Sequence, residues 1–213
     1  MTLFAGHDLA CRRGERLVFT GLSFRVAAGS ALLLRGPNGS GKSSLLRCMA
    51  GLLAPVAGTQ TWNDRPTALD ADAHRGRLRY LGHQDAVKPA LTVLGNLVLW
   101  QQLHGRHDVA AIGRGLAGVG LDRLAELPAR LLSAGQRRRV ALARLLASPA
   151  PLWLLDEPTT ALDDDGIACF ARMVGDHRAT GGVVVLSSHG DPGVAGDVLA
   201  LADFAPTAAE AES

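Results

Sequence analysis

The chain has 213 residues, 47% of them hydrophobic and 20% charged, with a formal net charge of +2. That length and apolar content suffice for a buried core, and the small net charge leaves no electrostatic footprint for nucleic acid. No run approaches the roughly 20 apolar residues of a membrane-spanning helix. Met1–Asp8 has no basic segment followed by an apolar stretch, so no secretory signal is expected. The chain reads as soluble, with membrane contact only through partners. Cys11, Cys48 and Cys169 are odd in number and widely spaced, which fits buried thiols in a reducing compartment rather than a disulfide framework or zinc site.

In chain order, residues 1–35 hold short apolar segments of strand-like composition: Leu17–Phe19, Leu22–Val26 and Ser30–Leu34. The last is continuously apolar, as expected of a strand buried on both faces. Gly36–Gly41 is too glycine-rich for regular structure, and Ser43–Gly51 has helical spacing and a glycine stop. Residues 85–150 lean helical around Leu94–Leu103, Ile112–Leu116 and Val140–Leu146, before Pro149 and Pro151. Leu152–Leu155 reads as a buried strand closing on Asp156 and Glu157, and Val183–Leu186 as another closing on Ser187, Ser188 and His189. Helix alternating with strand predicts a parallel α/β core. The tail 205–213 is small and polar and reads as disordered, and there is no internal repeat.

Gly36, Pro37, Asn38, Gly39, Ser40, Gly41, Lys42 and Ser43 fit the pattern G-x-x-x-x-G-K-[ST] between a buried strand and a helix that continues through Ser44. Glycines let backbone N–H groups turn inward and form an anion nest at the positive end of the helix. A lysine there reaches the β- and γ-phosphates, and the hydroxyl of Ser43 ligates Mg²⁺. Only Lys42 and Lys88 are lysines among 22 basic residues, which singles out Lys42 as one that chemistry demands. Asp156, closing an apolar strand, is the expected second anchor for Mg²⁺, and the adjacent Glu157 is placed to polarise an attacking water. Ser133 is a good N-cap for a strong helix former beginning near Gln136. A serine and a glycine at a helix start, with no acid beside them, make a second anion site.

At this point the sequence resembles the ABC ATPases. Leu132-Ser-Ala-Gly-Gln136 running to Arg144, and Leu155-Asp-Glu-Pro-Thr-Thr-Ala-Leu-Asp163, are similar to that family's signature and Walker B regions. Gln84, Thr160–Asp163 and His189 fall in the order of its Q-loop, D-loop and switch histidine. The resemblance covers about residues 3–200. It implies a P-loop NTPase fold of ABC ATPase type: a RecA-like parallel sheet, an N-terminal antiparallel β portion and an inserted helical subdomain at about 86–148, all within one domain spanning 1–204. It also implies Mg²⁺ and ATP, with a homodimer in which Ser133 and Gly135 act in trans on the other copy's nucleotide and Gln136 belongs to the nucleotide site. Glu157 would be the general base, His189 would contact the γ-phosphate, Asp163 would belong to the nucleotide site, and Gln84 would sense Mg²⁺ and link the site to a permease. The family's adenine-stacking aromatic is replaced by Cys11-Arg12-Arg13-Gly14, and Arg13 is the candidate because a guanidinium stacks on a base. Ala134 replaces the commoner glycine. Arg137–Arg139 read as a helix face, with no nucleic-acid role expected.

Tyr80–Thr92, with His83 before the Q-loop glutamine and Lys88 after it, is similar to the haem-exporter ATPases of cytochrome c maturation. Gly95 departs from the acidic residue usual before Asn96. This resemblance implies a peripheral subunit on the cytoplasmic side of the bacterial inner membrane, docked on integral permease subunits. An ABC ATPase for another cargo, such as a drug, lipid or peptide, is the alternative. A two-unit translation factor is disfavoured by the single unit, and a DNA-repair ATPase by the absence of a heptad run between the loop and the signature. The chain also lacks the Asn-Lys-x-Asp base reader of GTPases.

Overall fold

A computed structural model describes residues 3–207. The chain opens with two long antiparallel strands, β1 (Leu3–Arg13) and β2 (Arg16–Ala27). The two short segments expected at 17–19 and 22–26 are parts of this one β2. β1 escapes a sequence reading because its register shifts between Gly6 and Leu9, and again on either side of Cys11. Its buried residues therefore come in clusters, Phe4–Gly6 and Leu9–Cys11, instead of alternating. β3 (Ala31–Arg35) follows, then the glycine loop and α1 (Lys42–Met49), as the periodicity predicts.

β4 (Ala57–Trp62) and β5 (Arg65–Pro66) complete an antiparallel sheet in the order β2-β1-β4-β5. After α2 (Ala71–Gly76), β6 (Leu78–Leu81) begins the second sheet. Three helices follow, α3 (Val93–Leu103), α4 (Val109–Gly118) and α5 (Ala134–Ala147). They fall on the three segments read as helical. Then come β7 (Leu152–Asp156), α6 (Asp164–Ala179), β8 (Val183–Ser187) and β9 (Asp197–Ala200). The expected parallel sheet is present, with order β6-β7-β8-β3-β9 and every pairing parallel.

The continuous apolar runs of β3, β7 and β8 have a direct cause: both faces of the sheet are covered. Leu32, Leu34, Leu152, Leu154, Val183 and Val185 join one core with α1 and the antiparallel sheet. Leu33, Trp153, Leu155, Val184 and Leu186 join the other, with Val93 and Leu97 of α3, Val140 and Leu145 of α5 and Phe170 of α6. Cys11 and Cys48 are buried free thiols, and Cys169 is half-buried. Of the tail expected to be disordered, residues 208–213 lie outside the described residues. Among the described residues, no helix is long and apolar enough to cross a membrane.

Candidate nucleotide site

Because β6, β7, β8 and β3 are parallel neighbours, the loops at their carboxyl ends open on one edge of the sheet. In open α/β sheets that edge is where ligands bind. A cleft of about 920 Å³ lies there, walled by Asn38, Gly39, Gly41, Lys42, Ser43 and Ser44 of the glycine loop and α1, by Asp156, Glu157, Thr160 and His189, and by Arg13, Arg16 and His83.

The loop's glycines answer specific constraints. Gly41 caps α1 at φ 102°, and a Cβ there would sit 2.6 Å from Val18 Cγ1. Gly36, at φ 151°, would bring a Cβ 2.6 Å from Ser40 Oγ. Backbone in this region favours glycine, and no acid occupies the first turn of α1, so its positive end is left for an anion. Lys42, buried beneath the loop, donates from Nζ to the carbonyls of Gly36 and Pro37 at 2.7 and 3.1 Å.

Opposite, β7 and β8 pair Asp156 with Ser187. Ser187 Oγ donates to Asp156 Oδ1 at 2.8 Å and accepts from the Glu157 amide at 3.0 Å. Glu157 adopts φ 51°, a left-handed turn straight after the strand. Its Oε2 accepts from the His189 amide at 3.2 Å, and its Oε1 lies 3.4 Å from His189 Nε2. Arg35 holds the histidine's loop from below, with Nη1 donating to the Ser188 and Gly190 carbonyls. Neither Ser187 nor Arg35 was singled out from the sequence. Their signal is positional, since each closes a buried strand at the edge where the motifs gather.

The cluster has unused polar capacity. Asp156 Oδ2, Glu157 Oε1 and Ser40 Oγ are buried without hydrogen-bond partners. A buried carboxylate oxygen and the Ser43 hydroxyl on one cleft fit Mg²⁺, which takes few protein ligands and completes its shell with water and phosphate oxygens.

Other expected site residues lie elsewhere in the single chain. Gln84 is exposed and does not line the cleft, whereas its neighbour His83 does. Ser133 caps α5: its Oγ accepts from the Gln136 amide at 3.1 Å, and Gln136 Oε1 accepts from the Ser133 amide at 2.9 Å. Gly135 meets the turn after Glu157, where a Cβ would come 2.8 Å from the Ala161 carbonyl. Asp163 caps α6 by accepting from the Gly166 amide, and it pairs with Arg139 at 2.5 Å. None of Ser133, Gly135, Gln136 and Asp163 lines its own chain's cleft.

The reading of Arg137–Arg139 as a helix face needs correction. Arg138 is buried. It sits three, four and seven residues before the buried Ala141, Leu142 and Leu145, so helical spacing already aims it at the core.

The family profile described as ABC transporter matches residues 19–160. The Cytochrome c biogenesis ATP-binding export protein CcmA of Rhodospirillum rubrum is 55% identical over 205 residues, covering 96% of this chain and 88% of that protein. The protein of the same name from Paramagnetospirillum magneticum is 52% identical over 212 residues, covering 95% of this chain and 98% of the relative. Among solved structures, a putative ABC transporter ATP-binding protein from Pyrococcus furiosus has the same fold, with TM-score 0.84 at 24% identity over 96% of this chain and 100% of the other.

Proposed function

Since the chain belongs to the ABC transporter family as an ATPase subunit, we propose that it drives an exporter serving cytochrome c biogenesis, with haem as the cargo. The observation that carries the catalytic part is the cluster of Asp156, Glu157, Ser187 and His189 across the cleft from Lys42. The cargo and pathway are supported by likeness to the cytochrome c biogenesis export proteins over nearly the whole chain. ATPases of this family dimerise and work with membrane permeases. We read this chain as a homodimer docked on integral permease subunits at the cytoplasmic face of the inner membrane.

Phosphoryl transfer asks the protein for positioning and charge compensation rather than covalent chemistry. Lys42 Nζ exchanges the carbonyls of Gly36 and Pro37 for β- and γ-phosphate oxygens. Amides of the glycine loop and of Ser43 and Ser44 receive the remaining phosphate oxygens. The Ser43 hydroxyl and Asp156 Oδ2 would hold Mg²⁺, which when bound would offset charge on the phosphates, and Gln84, outside the cleft of the single chain, would reach it only if its loop moved inward. Glu157 Oε1, already free of hydrogen bonds, orients the water and takes its proton, and His189 Nε2 turns to the γ-phosphate. Arg13 stacks on the adenine from the cleft wall. Ser133 and Gly135 complete the site from the second copy, and Gln136 and the exposed Asp163 belong to the same nucleotide site. The exposure of Ser133 and the absence of acid in the first turn of α5 support this reading.

The test is deletion of the gene in its source strain, with c-type cytochromes followed by haem staining. They are expected to vanish and to return with the wild-type gene but not with Glu157→Gln. Normal c-type cytochromes in the deletion strain would remove the export reading and leave the ATPase intact.

A further inference from the structure

Arg138 is buried in α5, yet it faces one carboxylate, the half-exposed Asp85. A guanidinium carries five N–H donors in a rigid fork, and here five acceptors meet it. Nε donates to the Pro158 carbonyl at 3.0 Å, and Nη2 donates to the carbonyls of Asp156 at 2.9 Å and Glu157 at 2.5 Å. Nη1 donates to Asp85 Oδ1 at 2.9 Å and to the Gly82 carbonyl at 3.3 Å. One side chain thus ties together the end of β7 with its left-handed Glu157, the loop after β6 that carries His83 and Gln84, and the helix that Ser133 caps. Arg144, two turns along α5, fastens the same loop through the Ala86 carbonyl at 3.3 Å. Arg138 does not line the cleft.

We propose that Arg138 is a positioning residue that couples the loop at 82–86 to the carboxylate of Glu157, so that movement of that loop or of α5 alters the geometry of the attacking water. The planar fork is what the task requires, because a point cation could satisfy one of the two loops but not both. The proposal rests on the reading of Glu157 as general base.

It is tested on the purified full chain with Arg138→Gln, Asp85→Asn and the double variant, beside wild type and Glu157→Gln. The readouts are kcat, affinity for a fluorescent ATP analogue, and Tm. Asp85→Asn guards against misfolding, because it weakens the link from the exposed side by removing the charge while leaving an acceptor. Expected is a fall in kcat of about tenfold for Arg138→Gln, with nucleotide affinity within about twofold of wild type. A smaller fall is expected for Asp85→Asn at unchanged Tm, and no further loss in the double variant, as for two residues acting through one link. Both single variants turning over at the wild-type rate would overturn the coupling, as would a loss of kcat matched by an equal loss of nucleotide affinity. If Glu157→Gln itself keeps the wild-type rate, the assignment of the base fails, and the coupling falls with it. An inactive Glu157→Gln beside fully active Arg138 and Asp85 variants refutes the coupling alone.

Discussion

Glu157 shows how much chemistry rests on one backbone choice. A non-glycine residue at φ 51° is uncommon, and here the turn brings the carboxylate to the histidine loop while its amide is satisfied by Ser187. Such outliers gather where function over-determines the geometry. Gln at 157 keeps the volume and the polar contacts but cannot take a proton. Glu157→Gln should therefore lower ATP turnover by about 10²–10³, on the scale of losing one transition-state group. It should still bind ATP and accumulate the closed dimer, read as an earlier-eluting species in size exclusion with ATP. Lys42 illustrates the complementary case of a buried cation satisfied by carbonyls, which on the proposed reading a phosphate replaces.

At the scale of elements, α6 is joined to β7 by a ring stack: His177 lies on Trp153 with centroids 3.9 Å apart and planes at 2°. Gly182 permits the approach, since a Cβ there would collide with the imidazole. Burial pushes His177 down to about 4 from its ordinary 6.5, against backbone hydrogen bonding that favours the charged form. Between those values the unfolded chain binds the proton and the folded one does not, so stability falls as pH drops from about 6.5 towards 4. His177→Phe keeps the stack and removes the titration. Its Tm should decline less than that of wild type between pH 7 and pH 5, measured by differential scanning fluorimetry, and parallel curves would show that His177 contributes nothing to the acid sensitivity. The helices also differ at their starts. α6 opens with Asp163, Asp164 and Asp165, whereas α1, α3, α4 and α5 have no acid in the first turn, so no carboxylate there opposes an anion at the positive ends of α1 and α5.

Considered as a whole, the molecule has acid-free starts on both α1 and α5, and that of α1 lies on its own cleft while Ser133 at the start of α5 does not. Capping holds Ser133 in place: its hydroxyl accepts from the Gln136 amide, and the Gln136 side chain accepts from the Ser133 amide. If a second copy supplies that end, Lys42→Ala and Ser133→Glu chains should each be inactive alone and regain ATPase activity when mixed. The mixed dimer contains one intact site, built from the Ser133 of one variant and the Lys42 of the other. Mixtures no more active than their components would show that α5 does not complete a neighbour's site.

The ATPase class of this protein was legible from residue order because its motifs follow local constraints. A glycine loop between buried strand and helix, a carboxylate pair ending an apolar run and a capped helix start each need particular residue types at fixed spacing. The parallel core was equally plain, since β3, β7 and β8 are covered on both faces and so are apolar throughout. β1, β4, β6 and β9 were not, because bulges break the alternation of β1, a buried Arg79 interrupts β6, and β4 and β9 are largely exposed. Nor could spacing reveal that Arg138 reaches five acceptors, that Ser187 bridges Asp156 and Glu157, or that His83 rather than Gln84 faces the cleft. Those relations join residues tens of positions apart, and they exist only once the sheet has brought its strand ends to a common edge.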